Sequence, residues 1–170
     1  MVGLQGAGKS TWVQQSRIAE THSVLSKDHW PNARHKEQRQ QRLLGELLEK
    51  SCDVVVDNTN ASPQERAPIL EIARRHGAVV RAVYFDTPLS ICLERNDART
   101  PDRKVPRVGV FAALKRLVPP SLAEGFDSVE VVGRDAESLL TKPGCGGDHV
   151  VEPGPAGLSE PHRSGDRKVV

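Results

Sequence analysis

The stretch Gly3-Leu4-Gln5-Gly6-Ala7-Gly8-Lys9-Ser10-Thr11 decides how the rest of the chain is read. It fits G-x-x-x-x-G-K-[ST], a glycine-rich loop that cradles phosphate. Glycine lets the backbone turn tightly and approach a polyphosphate with no Cβ in the way. Successive N–H groups then converge on the anion, and a helix opening at Lys9 turns its positive end toward it. In such loops the lysine reaches the β- and γ-phosphates and the next hydroxyl serves Mg²⁺; here these are Lys9 and Ser10. The blander alternative is a glycine-rich turn ahead of a helix. Trp12, Val13, Ser16, Ile18 and Ala19 carry a helical pattern onward, as the phosphate loop requires. Gly3, Gly6, Ala7, Gly8, Lys9, Ser10 and Thr11 are therefore expected to line the phosphates of a bound nucleotide, with Mg²⁺ at Ser10.

A phosphate loop of this kind follows a buried strand of about five or six residues. Only Met1 and Val2 stand ahead of Gly3, so the first strand reads as truncated. That strand sits at the centre of a doubly wound sheet, and its loss would leave two inner edges unpaired. An upstream start is the simplest source of the missing residues.

Beyond the loop the pattern alternates. Ser23-Val24-Leu25-Ser26 reads as a short strand ending at Lys27-Asp28, and a helix follows over about 33–50 with Leu43, Leu44, Leu47 and Leu48 on one face. Asp53-Val54-Val55-Val56-Asp57 is an apolar run closed by an acid, typical of a parallel strand buried on both faces. Ser62-Pro63-Gln64-Glu65 opens the next helix as a capping box, and Gly77 stops it. Ala78 to Phe85 is a strand, Thr87-Pro88 caps a helix running to about Arg99, and a short helix near 109–118 precedes a last strand, Val129 to Val132. Such alternation predicts an α/β fold, a mostly parallel, doubly wound sheet with helices on both faces. This α/β domain spans 1–134. From 135 to 170 glycine, proline and charge dominate, which reads as a disordered tail.

At 170 residues the chain is long enough for one domain with a real core, and with aromatics at 4% that core rests on Val, Leu, Ile and Ala. A formal charge of +2 names no partner by itself. Cys52, Cys92 and Cys145 are scattered without metal spacing, which suits a reducing compartment. No apolar run approaches the roughly 20 residues of a membrane helix, and no signal peptide precedes the loop. The expectation is a cytoplasmic protein, nuclear if eukaryotic, with no membrane partner and an oligomeric state the sequence does not fix.

In open α/β sheets ligands bind beyond the carboxyl ends of the strands. Asp28, Asp57 and Asn58-Thr59-Asn60 fall there. Asp57 suits a partner of Mg²⁺ or of its water; otherwise it caps the strand end. Asp28 is a candidate general base for an acceptor hydroxyl, a role that contributes on the order of 10²–10⁴ in rate. Arg95 and Arg99 lie four apart, followed by Arg103, Lys104 and Arg107. An arginine closing over phosphates stabilises charge in the loose transition state of phosphoryl transfer; the alternative is a solvated basic hairpin. The histidines His22, His29, His35 and His76 lack partners at recognisable spacing and receive no catalytic role.

Residues 1–132 resemble the kinase domain of polynucleotide 5′-hydroxyl kinases, phage and eukaryotic, and their stand-alone bacterial relatives. The resemblance rests on Val2 to Thr11, Ser26-Lys27-Asp28, Val56-Asp57-Asn58-Thr59-Asn60 with Arg66, Arg95-Asn96 with Arg99, Val105-Pro106, and Pro120-Ser121-Leu122-Ala123-Glu124-Gly125-Phe126. It implies that Lys9 and Ser10 hold ATP and Mg²⁺, that Asp28 accepts the proton of a polynucleotide 5′-OH, and that Arg99, with Arg95 beside it, grips the donor phosphates. The implied reaction moves the γ-phosphoryl of ATP to a 5′-hydroxyl of DNA or RNA. Phage-type members carry an arginine three residues beyond the aspartate, where this chain has Pro31; eukaryotic members lack it too. No phosphatase or ligase module fits the remaining length. The alternatives are a small-molecule hydroxyl kinase on the same fold and a truncated, non-catalytic ATP-binding protein. Arg34, Lys36 and Arg39 are the expected contacts to a polynucleotide acceptor.

Overall fold

The computed structural model describes residues 1–30, 33–133 and 168–170. After the glycine-rich loop come α1 (Lys9–Gln15), β1 (Ser23–Leu25), α2 (Lys36–Glu49), β2 (Val54–Val56), α3 (Pro63–Arg75), β3 (Val79–Asp86), α4 (Leu89–Asp97), α5 (Arg107–Arg116), β4 (Ser128–Gly133) and β5 (Lys168–Val169). Local chemistry explains the boundaries. The Ser62 hydroxyl accepts from the Glu65 N–H at 3.3 Å, and the Glu65 carboxylate takes the Ala61 N–H at 2.9 Å, so both ends of the first turn of α3 are satisfied. Past α3, Gly77 turns the chain at φ 63°. The first helix is shorter than the sequence pattern implies: Arg17 at φ 57° breaks it from a 3₁₀ turn over Ile18–Glu20.

The five strands form one parallel sheet in the order β1-β2-β5-β3-β4. All three residues of β2 are buried, and their side chains alternate between two cores, as a strand covered on both faces requires. Val55 joins Val13 of α1, Cys92 of α4 and Ala113 of α5 on one face. Val54 and Val56 join Leu44 and Leu48 of α2 and Ile69, Leu70 and Ala73 of α3 on the other. The doubly wound α/β reading is therefore correct. Among the described residues no helix is long and apolar enough to cross a membrane.

Two expectations change. Met1 and Val2 do lie along the centre of the sheet: the Met1 amine donates to Val56 O at 2.9 Å, and Val2 pairs with Tyr84. The inner edges of β2 and β3 below them are not left open, because β5 pairs in parallel with both. The disordered tail expected over 135–170 thus fails at its far end, where Val169 and Val170 are 1% and 5% exposed. An apolar pair ending a charged stretch is too short to read as a central strand; pairing on two sides supplies what local pattern lacks. The rest of that stretch, 135–167, lies outside the described residues.

Candidate functional site

The glycine-rich loop leaves the sheet held on both sides. Val2 N donates to Val83 O at 2.8 Å, Phe85 N to Val2 O at 2.9 Å, and Gly3 N to Thr59 O at 3.1 Å. At Gly6 (φ 81°) a Cβ would run into the carbonyl of Cys92, backbone against backbone, so no larger residue fits. Gly8 (φ 102°) opens into free space ahead of α1; a methyl group at that position would meet nothing nearer than Arg95 Nη1, at 3.6 Å. Ala7 is buried, and its carbonyl accepts from Thr87 Oγ1 at 2.9 Å, which pins the loop to the end of β3.

Lys9 turns back on its own loop, donating to Gly3 O and Leu4 O, both at 2.8 Å. Burial lowers its pKa from 10.5 to about 8; of the charges around it Asp57 acts most strongly in the opposite sense, Arg99 lowers it further, and Asp28 raises it. Asp28, Asp57 and Arg99, which stand far apart in sequence, thus all act electrostatically on one amine.

Ser10 and Thr11 are exposed on the first turn of α1. Ser10 Oγ donates to Asp57 Oδ2 at 2.8 Å. Asp57 follows β2 and its N–H donates to Leu25 O at 2.8 Å, continuing the β1–β2 ladder. Asn58 spans the neighbouring turn: its Oδ1 accepts from Lys27 N at 2.9 Å and its Nδ2 donates to Gln40 Oε1 at 2.7 Å. Ser26 caps a 3₁₀ turn over Lys27–His29 by accepting from Asp28 N at 3.3 Å. The Asp28 carboxylate is exposed at that turn. Asn60 (φ 44°) is buried and donates to Met1 O at 2.8 Å. The stretch from Asp57 to Asn60 therefore sets the carboxylate bonded to Ser10, the turn beneath Asp28 and the strand entering the loop, all at once.

Arg95 lies on α4, whereas Arg99 falls two residues beyond its end and not on the same helical face, as the spacing of four implied. Near the end of the helix the buried Asn96 side chain holds Val105, donating to its carbonyl at 2.7 Å and accepting from its N–H at 3.1 Å. The basic loop is narrower in function than its composition suggests. Lys104 and Arg107 both pair with Asp97, and their hydrogen bonds hold its carboxyl below the usual range; Arg103 lies 3.9 Å from Asp102. Arg95 and Arg99 are exposed and make no ion pair among the described residues, so they are the cations left to face an anion. Arg66, part of the resemblance, is buried away from solvent, with a bidentate pair to Glu124 at 2.7 Å for each bond and further bonds to Asn60 O, Ala61 O and Val118 O. It fastens the Leu122–Glu124 turn under the Asn60 turn and is structural. Pro31 lies outside the described residues.

The residues present suit ATP and Mg²⁺: a loop whose closest approaches exclude any Cβ, a hydroxyl and carboxylate already 2.8 Å apart, a lysine bonded to loop carbonyls, and two arginines with no ion pair among the described residues. Sequence reasoning gave Thr87 only a helix cap, Asn96 only a place in the resemblance and Gln40 no role; each acts through polar bonds to a residue 80, 9 or 18 positions away, for which no local pattern exists.

Residues 1–120 match the model of a family described as an AAA domain. The chain belongs to the AAA-domain family. With that match the parallel sheet and its glycine-rich loop are those of a kinase-like P-loop domain. This AAA-domain chain is also similar to a bifunctional polynucleotide phosphatase/kinase of Schizosaccharomyces pombe, at 23% identity over 135 residues. That match takes in 78% of this chain and 32% of the relative, so the chain spans about a third of the relative's length.

Proposed function

We propose that this domain is an ATP-dependent kinase that transfers the γ-phosphoryl group to the 5′-hydroxyl of a polynucleotide, DNA or RNA, in end repair in the cytoplasm or, in a eukaryote, the nucleus. The observation that carries the reading is the geometry of the glycine-rich loop, where the buried Lys9 amine bonds to Gly3 O and Leu4 O and the neighbouring Ser10 Oγ donates to Asp57 Oδ2 at 2.8 Å. The relative's name supports the polynucleotide acceptor.

In this reading the loop amides from Gly3 to Thr11 and Lys9 hold the β- and γ-phosphates, which Lys9 reaches by exchanging its bonds to Gly3 O and Leu4 O for phosphate oxygens. Ser10 and Asp57 would hold Mg²⁺, directly or through its water, and the ion would neutralise part of the charge that builds during transfer. Arg99, with Arg95, closes over the outer face of the phosphates. Asp28, on a turn fixed by Ser26 and Asn58, takes the proton of the acceptor hydroxyl. Arg34 and Arg39 are exposed and Lys36 half-buried beyond Asp28; Arg39 stacks over Trp30 with its guanidinium 4.9 Å from the ring centroid. They are the groups proposed to contact the acceptor's phosphates.

The test is transfer of labelled γ-phosphate from ATP to 5′-hydroxyl DNA, 5′-hydroxyl RNA and a panel of hydroxylated metabolites. Label is expected on an oligonucleotide 5′ end. Lys9→Ala should abolish transfer, while Asp28→Asn should lower it by roughly 10²-fold or more and leave ATP affinity near normal. Oligonucleotide affinity should fall with a negative slope in log salt, made shallower by removing the charge of Arg34, Lys36 or Arg39. Label on metabolites alone, with no salt-dependent oligonucleotide binding, would instead establish a small-molecule kinase.

A further inference from the structure

Helices α2 and α3 share an apolar seam along only part of their length. Leu44 and Leu48 of α2 join Ile69, Leu70 and Ala73 of α3 in one core. Nearer the start of each helix the apposed side chains are mostly polar: Glu37, Gln40 and Gln41, at i, i+3 and i+4, lie on one face of α2, and Gln64, Glu65 and Pro68 lie on α3. A cleft of about 420 Å³ separates them. That is within the range of about 300–1,000 Å³ in which proteins take small ligands.

Gln40, which borders this cleft, is 3% exposed. The orientation of its amide follows from a backbone group. Lys27 N can only donate, so the Asn58 atom it meets at 2.9 Å is the carbonyl oxygen Oδ1. Asn58 Nδ2 is left to donate to Gln40, at 2.7 Å, and so meets Oε1. Gln40 Nε2 is thereby turned away from Asn58, and it donates to no group among the described residues. Nor is it sealed inside the protein: among the described residues, the enclosed side-chain polar atom without a partner is Gln5 Oε1. The Nε2 of Gln40 therefore opens to the cleft, a donor fixed in direction and left unmatched.

The remaining walls define what could meet it. Lys27 Nζ bonds to Glu37 Oε1 at 2.7 Å, and Arg116 Nε lies 3.3 Å from Glu65 Oε1, so two cations and two carboxylates cancel. A phosphate seated there would face both carboxylates, whereas a neutral group meets no such repulsion. Gln41 and Gln64 add carboxamides that can donate or accept, and Pro68 and Ile69 add apolar surface. A neutral ligand with hydrogen-bonding edges and an apolar face is the chemistry of a nucleobase. The cleft also adjoins the turn that carries Asp28, since Lys27 is its wall on that side.

We propose that the cleft between α2 and α3 is a base-binding site for the acceptor strand, in which Gln40 Nε2 donates to an acceptor atom on the edge of a nucleobase while Pro68 and Ile69 contact its face, an assignment that rests on the polynucleotide acceptor proposed above. Gln40 then recognises the substrate directly, and Asn58, bonded to it and to Lys27 N, ties the occupied cleft to the turn of Asp28.

The test measures binding of labelled 5′-hydroxyl oligonucleotides by fluorescence anisotropy, without ATP, with a single abasic nucleotide placed at successive positions from the 5′ end. At one position, loss of the base is expected to weaken binding by about tenfold or more. Gln40→Glu keeps an oxygen for Asn58 Nδ2 and replaces the donor facing the cleft with an acceptor. In that variant the ratio of intact to abasic affinity at the same position is expected to fall to about one. A purely structural Gln40 would weaken both oligonucleotides alike and leave the ratio unchanged, so the ratio separates the two roles. Gln64→Trp, at an exposed position on the rim, fills the cleft without touching the Asn58 bond and is expected to erase the same ratio. Equal affinities at every position, no measurable oligonucleotide binding, or a ratio retained in either variant would overturn the base site. Base-dependent binding as described, with no phosphate transferred to any 5′ end, would remove the kinase reading and leave the base site standing.

Discussion

Lys9 shows how a single residue carries both the stability and the chemistry of the loop. Its amine is enclosed, bonded to Gly3 O and Leu4 O, and burial has brought its pKa down to about 8. Above pH 8 the empty site therefore holds mostly neutral lysine, whereas phosphate oxygens beside it favour the ammonium. Mg·ATP binding should thus take up a proton at pH 8.5 and weaken by up to about tenfold per pH unit above pH 8. Calorimetric titration in buffers of different ionisation enthalpy reads that proton directly, and Lys9→Met should abolish the uptake. At this scale much was legible. Gly6, Gly8, Lys9 and Ser10 announce themselves because the chemistry is local: consecutive amides, one ammonium, one hydroxyl. Thr87, which pins Ala7, was not, since nothing near it in sequence mentions the loop.

Among elements, the connection that matters most is the ion pair of Arg66 on α3 with Glu124, where the Arg66 side chain is 2% exposed and that of Glu124 15%. Removing one partner leaves the other charge enclosed, which costs about 3–5 kcal/mol. Glu124→Ala should therefore lower unfolding free energy by that order in denaturant melts, and Arg66→Met with Glu124→Leu together should cost less than either single change. The starts of the helices were readable wherever a cap is built from neighbours, as at Ser62. Their ends were not: α4 stops at Asp97, with Arg99 two residues beyond it, and the buried Asn96 is tied to Val105, nine residues on, a bond no local pattern announces. The basic loop misled for a related reason, since composition counts Lys104 and Arg107 as available while Asp97 has already taken both.

For the whole molecule, alternation of pattern was enough to predict parallel strands, helices on both faces and the position of the site at the strand ends, because burial on both faces leaves an apolar run such as Val54–Val56. It was not enough to predict the middle of the sheet, where three residues at one end of the chain and two at the other are each too short to show a period. Enclosing an amine there has a measurable cost. Unfolding exposes the Met1 amine and restores its pKa to about 8, so between about pH 5 and pH 8 the unfolded chain binds the extra proton. Stability should rise with pH across that window, by up to about 1.4 kcal/mol per pH unit from this group, and thermal melts between pH 5 and 8 would show it. The geometry also decides how the protein can be handled. A label belongs on an outward turn such as Asp102–Arg103, where the backbone already faces water.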